Sequence, residues 1–145
     1  MADYISDVDG TIADVQHRRH LVQTKPSNWH AFRAAAAQDT PCVPVIKTLQ
    51  ALFAQGNRIV LCSGRVEDER DLTERWMLQH KVWYHKLYMR PNGDYRADDI
   101  VKSELLDQIL ADGFQPIMAF DDRQRVVDMW RRRGIVCAQV AEENF

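Results

Sequence analysis

The segment Asp7-Val8-Asp9-Gly10-Thr11 sets two carboxylates two residues apart, then a glycine and a hydroxyl. In extended backbone, side chains at i and i+2 share a face. A glycine next to them lets the chain turn tightly toward a ligand. Far along the chain, Asp121-Asp122 again places acids after an apolar run. Taken alone, an Asp-Gly pair is a turn and a following Asp is a helix cap. Brought together at neighbouring strand ends, these acids would repel each other unless a hard cation sat among them. Mg²⁺ prefers oxygen ligands and keeps several waters, so it suits this set.

Two further groups could complete such a site. Ser63-Gly64-Arg65 offers a hydroxyl, a small residue and a guanidinium group after a strand. Lys102 follows Asp98-Asp99 at a helix start. An isolated helix lysine is ordinarily a solvated one, and Asp98 could equally be an acid facing the helix dipole.

The elements that must position these residues can be read from periodicity. Tyr4-Ile5-Ser6 forms a short strand ending at Asp7, and Ser27 could cap a helix through Gln38 with Trp29 and Phe32 on one face. Pro41 and Pro44 break the chain, and Val45, Ile46, Leu49, Leu52 and Phe53 then recur at helical spacing up to Gly56. Arg58 to Cys62 is a buried strand. Glu67 to His80 is a helix with Leu72, Trp76 and Leu78 or Gln79 inward, and Lys86 to Met89 is a weaker strand. Pro91 to Asp94 is turn chemistry. A helix from Asp99 to Leu110, a strand from Pro116 to Phe120, a helix from Val126 to Arg133 and a strand from Ile135 to Val140 complete the chain. Strands alternating with helices predict an α/β fold, a parallel sheet covered on both faces. In such sheets chemistry gathers beyond the carboxyl ends of the strands. Asp7, Ser63 to Arg65, and Asp121 to Arg123 all follow strands.

Composition narrows the class. With 145 residues, 46% hydrophobic and 28% charged, the chain suits one globular domain rather than a disordered or fibrous chain. The 19 Lys and Arg against 21 Asp and Glu give a net charge of −2, which argues against a bulk nucleic-acid coat. Three scattered cysteines, Cys42, Cys62 and Cys137, make neither a disulfide framework nor a CxxC metal site, and fit a reduced, cytoplasmic setting. Apolar runs are too short for a membrane span, and no signal peptide is visible at the start.

Asp-Val-Asp-Gly-Thr resembles the first signature of the haloacid dehalogenase (HAD) superfamily of aspartate-nucleophile phosphotransferases. Ser63, Lys102 and Asp121-Asp122 follow in the order of that family's remaining signatures. Within the superfamily, three segments resemble the bacteriophage-type polynucleotide kinase 3′-phosphatase domain. They are Leu61 to Arg65, Arg96 to Lys102, and the long stretch Asp121 to Arg132. The resemblance implies a three-layer Rossmann-like fold of about five parallel strands over residues 1–145, with a small cap insert at 13–40. It implies a Mg²⁺-dependent phosphatase that removes a 3′-phosphate from polynucleotide ends or nucleotides, in the manner of DNA repair. No G-x-x-x-x-G-K-[ST] exists, so no kinase activity is expected. A 5′(3′)-deoxynucleotidase acting on free monophosphates, or a non-catalytic module binding a phosphorylated ligand, are the alternative functions.

By this resemblance Asp7 is the nucleophile, and Asp9 the acid and then base, with a pKa brought near working pH by neighbouring carboxylates. Mg²⁺ would be held by Asp7, the Asp9 carbonyl and one or both of Asp121 and Asp122. Ser63 would donate to a phosphoryl oxygen, and Lys102 would hold phosphoryl group and nucleophile together. Arg18, Arg65, Thr11 and Asp98 would lie on the substrate side, with Arg19 an alternative to Arg18. Asp98 could orient Lys102 or an arginine. Trp29 and Phe32 could stack a base or simply face a lid helix inward, and Trp83, Tyr84 and Tyr95 share that ambiguity. Cys62 reads as a core residue. Arg131 to Arg133 with Arg123 and Arg125 read as a solvated helix face rather than a nucleic-acid track. His17 and His20 lie near the proposed site; His30, His80 and His85 read as surface or packing residues.

Overall fold

The computed structural model describes residues 1–142. In chain order the elements are β1 (Asp3–Ser6), β2 (Ala13–Asp14), α1 (His20–Gln23), α2 (Trp29–Ala34), β3 (Thr40–Pro41), α3 (Val43–Ala54), β4 (Arg58–Val66), β5 (Lys86–Arg90), reached through α4 (Arg70–Gln79), α5 (Asp98–Ala111), β6 (Pro116–Asp121), α6 (Gln124–Arg132) and β7 (Val136–Gln139). Five strands form one parallel sheet in the order β5-β4-β1-β6-β7. The α/β sheet expected from the pattern is present.

Alternation along β4 divides the core in two. Ile59 and Leu61 point to the face covered by Ile46 and Leu49 of α3 and Trp76 and Met77 of α4. Val60 and Cys62 point to the opposite face, covered by Val101, Leu105 and Ile109 of α5 and by Val126, Val127 and Trp130 of α6. The chain therefore leaves β1 toward one face and β6 toward the other. That divergence opens a crevice at the carboxyl ends of these two strands, where ligands settle in open α/β sheets.

Residues 13–41 make an excursion from the end of β1. The chain leaves along β2 and returns along β3, and the two pair antiparallel, Ala13 with Pro41 and Asp14 with Thr40. Within it, α2 is capped by Asn28, whose side chain accepts from the Ala31 amide at 3.1 Å, and not by Ser27. The Ser27 hydroxyl donates instead to the Val22 carbonyl. The α-helix stops at Ala34, and Ala35–Gln38 tighten into a 3₁₀ turn. One other boundary and one buried face differ from the sequence reading. β4 continues past Cys62 to Val66, which puts Ser63, Gly64 and Arg65 on the strand itself. Leu78 of α4 is 68% exposed, because Thr73, Trp76 and Met77, spaced three and four apart, take the buried face.

The opposite end of the sheet is fastened by one carboxylate. Asp3 accepts from Arg58 Nε and Nη2, both at 2.7 Å, and from the Gln115 amide at 2.7 Å. This ties the starts of β1, β4 and β6 together. The Arg58 hydrogen bonds hold the Asp3 carboxyl below its usual range, against the opposing effect of burial. Its contribution to stability is therefore complete above the unfolded carboxylate pKa of about 3.9 and is lost as pH falls through the lower folded value. Wild type and Asp3→Asn should differ in urea midpoint at pH 6, and the gap should narrow steadily below pH 4. A gap constant from pH 6 to pH 2 would contradict this.

Candidate active site

Asp7 follows β1, and its amide donates to the Phe120 carbonyl of β6 at 2.9 Å. This draws the two strand ends together. Gly10, at φ +83°, turns the chain beneath the second acidic pair. A Cβ there would stand 2.1 Å from Asp122 Oδ2, so only glycine fits. Carboxylate oxygens of Asp7, Asp121 and Asp122 lie within 4.8 Å of one another.

Lys102, at the start of α5 and buried, reaches this cluster from the side. Its Nζ donates to Asp7 Oδ1 at 2.7 Å and to Asp121 Oδ2 at 3.1 Å. Burial opposes its charge, but Asp121 and Asp7 outweigh burial and hold its pKa well above the usual lysine value. Burial and the Asp121 charge push Asp7 well above the usual carboxylate range despite Lys102. Burial also raises Asp122, with Asp121 adding to it. One ammonium is too little charge for three clustered carboxylates, two of them buried, which is the condition that a bound divalent cation relieves.

The two acids of the pair differ. Both oxygens of Asp121 are fully used: Oδ1 accepts from the Asp122 and Arg123 amides, Oδ2 from Lys102 and from Trp130 Nε1 at 3.1 Å. Among the described residues, the Asp122 carboxylate meets only the Asp7 carboxyl and, at 3.5 Å, the Thr11 hydroxyl. A carboxylate offers about four lone-pair sites, so Asp121 has none left to give, while Asp122 does.

Asp9 stands apart from the cluster. It is gripped by Arg65, with Nη2 at 2.6 Å, and by Arg18, with Nη2 at 3.2 Å. Burial alone would raise its pKa, but the charge and hydrogen bonds of Arg65, helped by Arg18, bring it below the usual value. The expectation that carboxylates surround Asp9 is thus corrected: its neighbours are guanidinium groups, and they keep it ionised.

Behind the two arginines sits a residue that the sequence reading missed. Asp39, buried in the excursion, accepts from Arg18 Nε (2.8 Å) and Nη2 (2.9 Å), from Arg65 Nη2 (3.1 Å), and faces His17 Nε2 at 2.7 Å. Its backbone carbonyl accepts from Trp76 Nε1 at 2.9 Å, which anchors the excursion to α4. The Phe32 ring lies 4.2 Å from the Arg18 guanidinium carbon. Of the Arg18-Arg19 pair, Arg18 is the one that meets Asp9. Arg90 was also missed. It ends β5, donates to the Gly64 carbonyl at 2.8 Å, and pairs with Asp98. Asp98 also accepts from Arg123 at 3.0 Å. It therefore orients two arginines and does not hydrogen-bond Lys102.

A cavity of about 860 Å³ opens over these groups. Asp7, Asp9, Arg65, Asp98, Lys102 and Asp122 line it. Three expected contact residues lie one layer deeper. The Thr11 hydroxyl donates to Asp7 Oδ2 at 3.0 Å, Ser63 Oγ accepts from the Arg65 amide at 3.1 Å, and Arg18 is 1% exposed. The Cys62 thiol lies in the core, where burial pushes its pKa up to about 12. Arg131 and Arg133 donate to the Cys137 carbonyl and to Asp107 respectively, so they fasten α6 to its surroundings.

The sequence pattern of the polynucleotide kinase PNKP phosphatase domain matches residues 2–145. The chain belongs to that family. It is a HAD-type phosphatase domain, and its α/β sheet is the HAD fold. A protein of Autographa californica nuclear polyhedrosis virus, named as a bifunctional polynucleotide kinase/RNA ligase, is 30% identical over 129 residues. That match takes in 88% of this chain and 17% of the viral protein. A chain in the solved structure of a Pnkp1/Rnl/Hen1 complex is 33% identical, with a TM-score of 0.84 over 99% of this chain and 47% of that one. The chain thus spans about a sixth to a half of the length of these relatives. A class C acid phosphatase from Bacillus anthracis, solved with tungstate bound, is 11% identical and shares the fold (TM-score 0.67 over 97% of this chain and 68% of that one).

Proposed function

We propose that this phosphatase removes the 3′-phosphate from polynucleotide ends with Mg²⁺, through a phosphoryl group carried on Asp7. The observation that carries this reading is Asp7 itself. Its carboxylate lies on the cavity wall, aimed by Lys102 and Thr11, with Asp9 two residues on. The relatives named for polynucleotide and RNA-repair work support a nucleic-acid end, RNA or DNA, as substrate.

Phosphate monoesters hydrolyse very slowly unaided, and a covalent intermediate divides the barrier. An Asp7 oxygen forms a bond to phosphorus while the bond to the 3′ oxygen breaks and Asp9 gives that oxygen its proton. Water then gives a proton to Asp9, bonds to phosphorus and displaces Asp7, releasing inorganic phosphate. The arginine grip on Asp9 supplies a switch between its roles. An incoming phosphate competes for the Arg65 fork, and as that fork turns to it Asp9 regains affinity for a proton. Lys102 compensates charge on Asp7 throughout.

The clustered oxygens of Asp7 and Asp122 suit a hard cation, to which the Asp9 carbonyl would add a ligand, and the free acceptors of Asp122 favour it over Asp121. Mg²⁺ bound there would neutralise charge between phosphate and nucleophile. Asp122→Asn should raise the Mg²⁺ concentration needed for half-maximal activity by tenfold or so while leaving the melting temperature in place. Asp121→Asn should instead lower the melting temperature, since four donors face its two oxygens and an amide NH2 can accept from none of them. The opposite pairing of effects would assign the ion to Asp121.

The function is tested by offering a 3′-phosphorylated oligonucleotide beside a panel of free 3′- and 5′-mononucleotides, with Mg²⁺ and with chelator. Preference for the oligonucleotide, lost on chelation, is expected. Faster turnover of mononucleotides would make this a nucleotidase, and no turnover of any phosphoester would make it a binding module.

A further inference from the structure

The cavity is larger than a phosphate needs. Its volume of about 860 Å³ lies in the range that encloses a ligand of nucleotide size or more. Its wall carries six cationic side chains, and each of them already faces a carboxylate: Arg33 meets Glu69, Arg65 meets Asp9, Arg90 and Arg123 meet Asp98, Arg96 meets Asp94, and Lys102 meets Asp7. Beyond the reacting phosphate, charge is poorly placed to hold the rest of a substrate. The wall does carry two exposed rings on different elements. Trp29 begins α2 and is 51% exposed; Tyr95 lies in the loop between β5 and α5 and is 88% exposed. Trp29 makes a T-shaped contact with Phe32, with centroids 5.6 Å apart, and Phe32 is fixed in turn by Arg18. An exposed ring braced on one side is a stacking platform that loses little freedom on binding.

We infer that Trp29 and Tyr95 form a base-stacking subsite for the terminal nucleoside of a single-stranded, 3′-phosphorylated end. This deepens the reading of the chain as a 3′-end phosphatase and rests on it. Every base offers a π-face, so the subsite holds the end without reading its sequence. The protein therefore distinguishes a base-bearing end from an abasic one, and treats the four bases nearly alike.

The test compares oligonucleotides with a normal or an abasic 3′-terminal residue, each carrying a 3′-phosphate. Turnover and binding are read separately, binding by anisotropy of a 5′-fluorescent label. Wild type should favour the base-bearing end in kcat/KM by about tenfold, the size of a lost base–aromatic stack. Trp29→Leu, which keeps an apolar side chain against Phe32, and Tyr95→Ala, at an exposed position, should each shrink that ratio severalfold through KM. Tyr95→Phe should preserve it. If wild type turns over both ends equally well, or if the ratio survives both substitutions, the subsite is overturned while the phosphatase reading stands. If nothing is turned over yet base-dependent binding persists and falls in both variants, the subsite stands and the phosphatase reading fails.

Discussion

Asp7→Asn should lower turnover of a 3′-phosphorylated oligonucleotide by about ten-thousand-fold or more, the scale on which covalent enzymes lose activity without their nucleophile. The same substitution should leave the melting temperature unchanged or raised. Asn keeps the shape of Asp: its oxygen can still accept from Lys102, and its NH2 can donate to the Thr11 hydroxyl, the two groups that now hold Asp7 at 2.7 and 3.0 Å. It also removes one of three crowded carboxylates, in a place where burial and Asp121 already disfavour ionisation. Calorimetry beside a phosphate-release assay reads both effects. Substantial remaining activity would remove Asp7 from its role as attacking group, and a large fall in melting temperature would mean that its charge holds the fold.

The second large effect belongs to Asp39→Ala. Arg18 and Arg65 are almost wholly buried, and of the two carboxylates they share, Asp9 and Asp39, Asp39 is the one sealed from solvent. Breaking a buried pair by removing one partner costs about 3–5 kcal/mol, because the charge left behind cannot be hydrated. For a domain of this size that is a fall of about 10 °C or more in melting temperature. kcat/KM should fall with it, since both guanidinium groups would close further onto Asp9. Asp39→Asn, which keeps two acceptor lone pairs on its amide oxygen, should be milder in both measurements. A melting temperature within 2 °C of wild type for the alanine variant would show that Asp9 alone satisfies the two arginines.

The contrast between Asp7 and Asp39 shows what a sequence reveals about such a site. Asp7, Asp9, Lys102, Asp121 and Asp122 sit in short local patterns at strand ends or a helix start, so residue type and spacing expose them. The sheet follows from apolar runs in the same way. Asp39 has no such pattern: it lies between a 3₁₀ turn and two prolines' worth of broken chain, and its partners are 21 and 26 residues away. Its role arises only when the excursion folds back. Arg90 could have been found, because it ends a parallel strand as Asp7 and Asp121 do, and the same rule applies to it. The electrostatic setting of Asp9 was hidden for a further reason. Spacing sets Asp9 two residues from Asp7, but its actual partners are Arg65, 56 residues away in the chain, and Arg18.

The short ladder joining Ala13–Asp14 to Thr40–Pro41 fixes where the excursion departs and rejoins. Loop closure grows only slowly in cost with length, so what is grafted between those points is nearly independent of the scaffold below. The interchangeable stretch is narrower than the excursion, since Arg18, Phe32 and Asp39 are bolted to the sheet-borne machinery. Residues 20–27 are what remains: none of them lines the cavity, so length and shape can change there while the reacting groups stay in place.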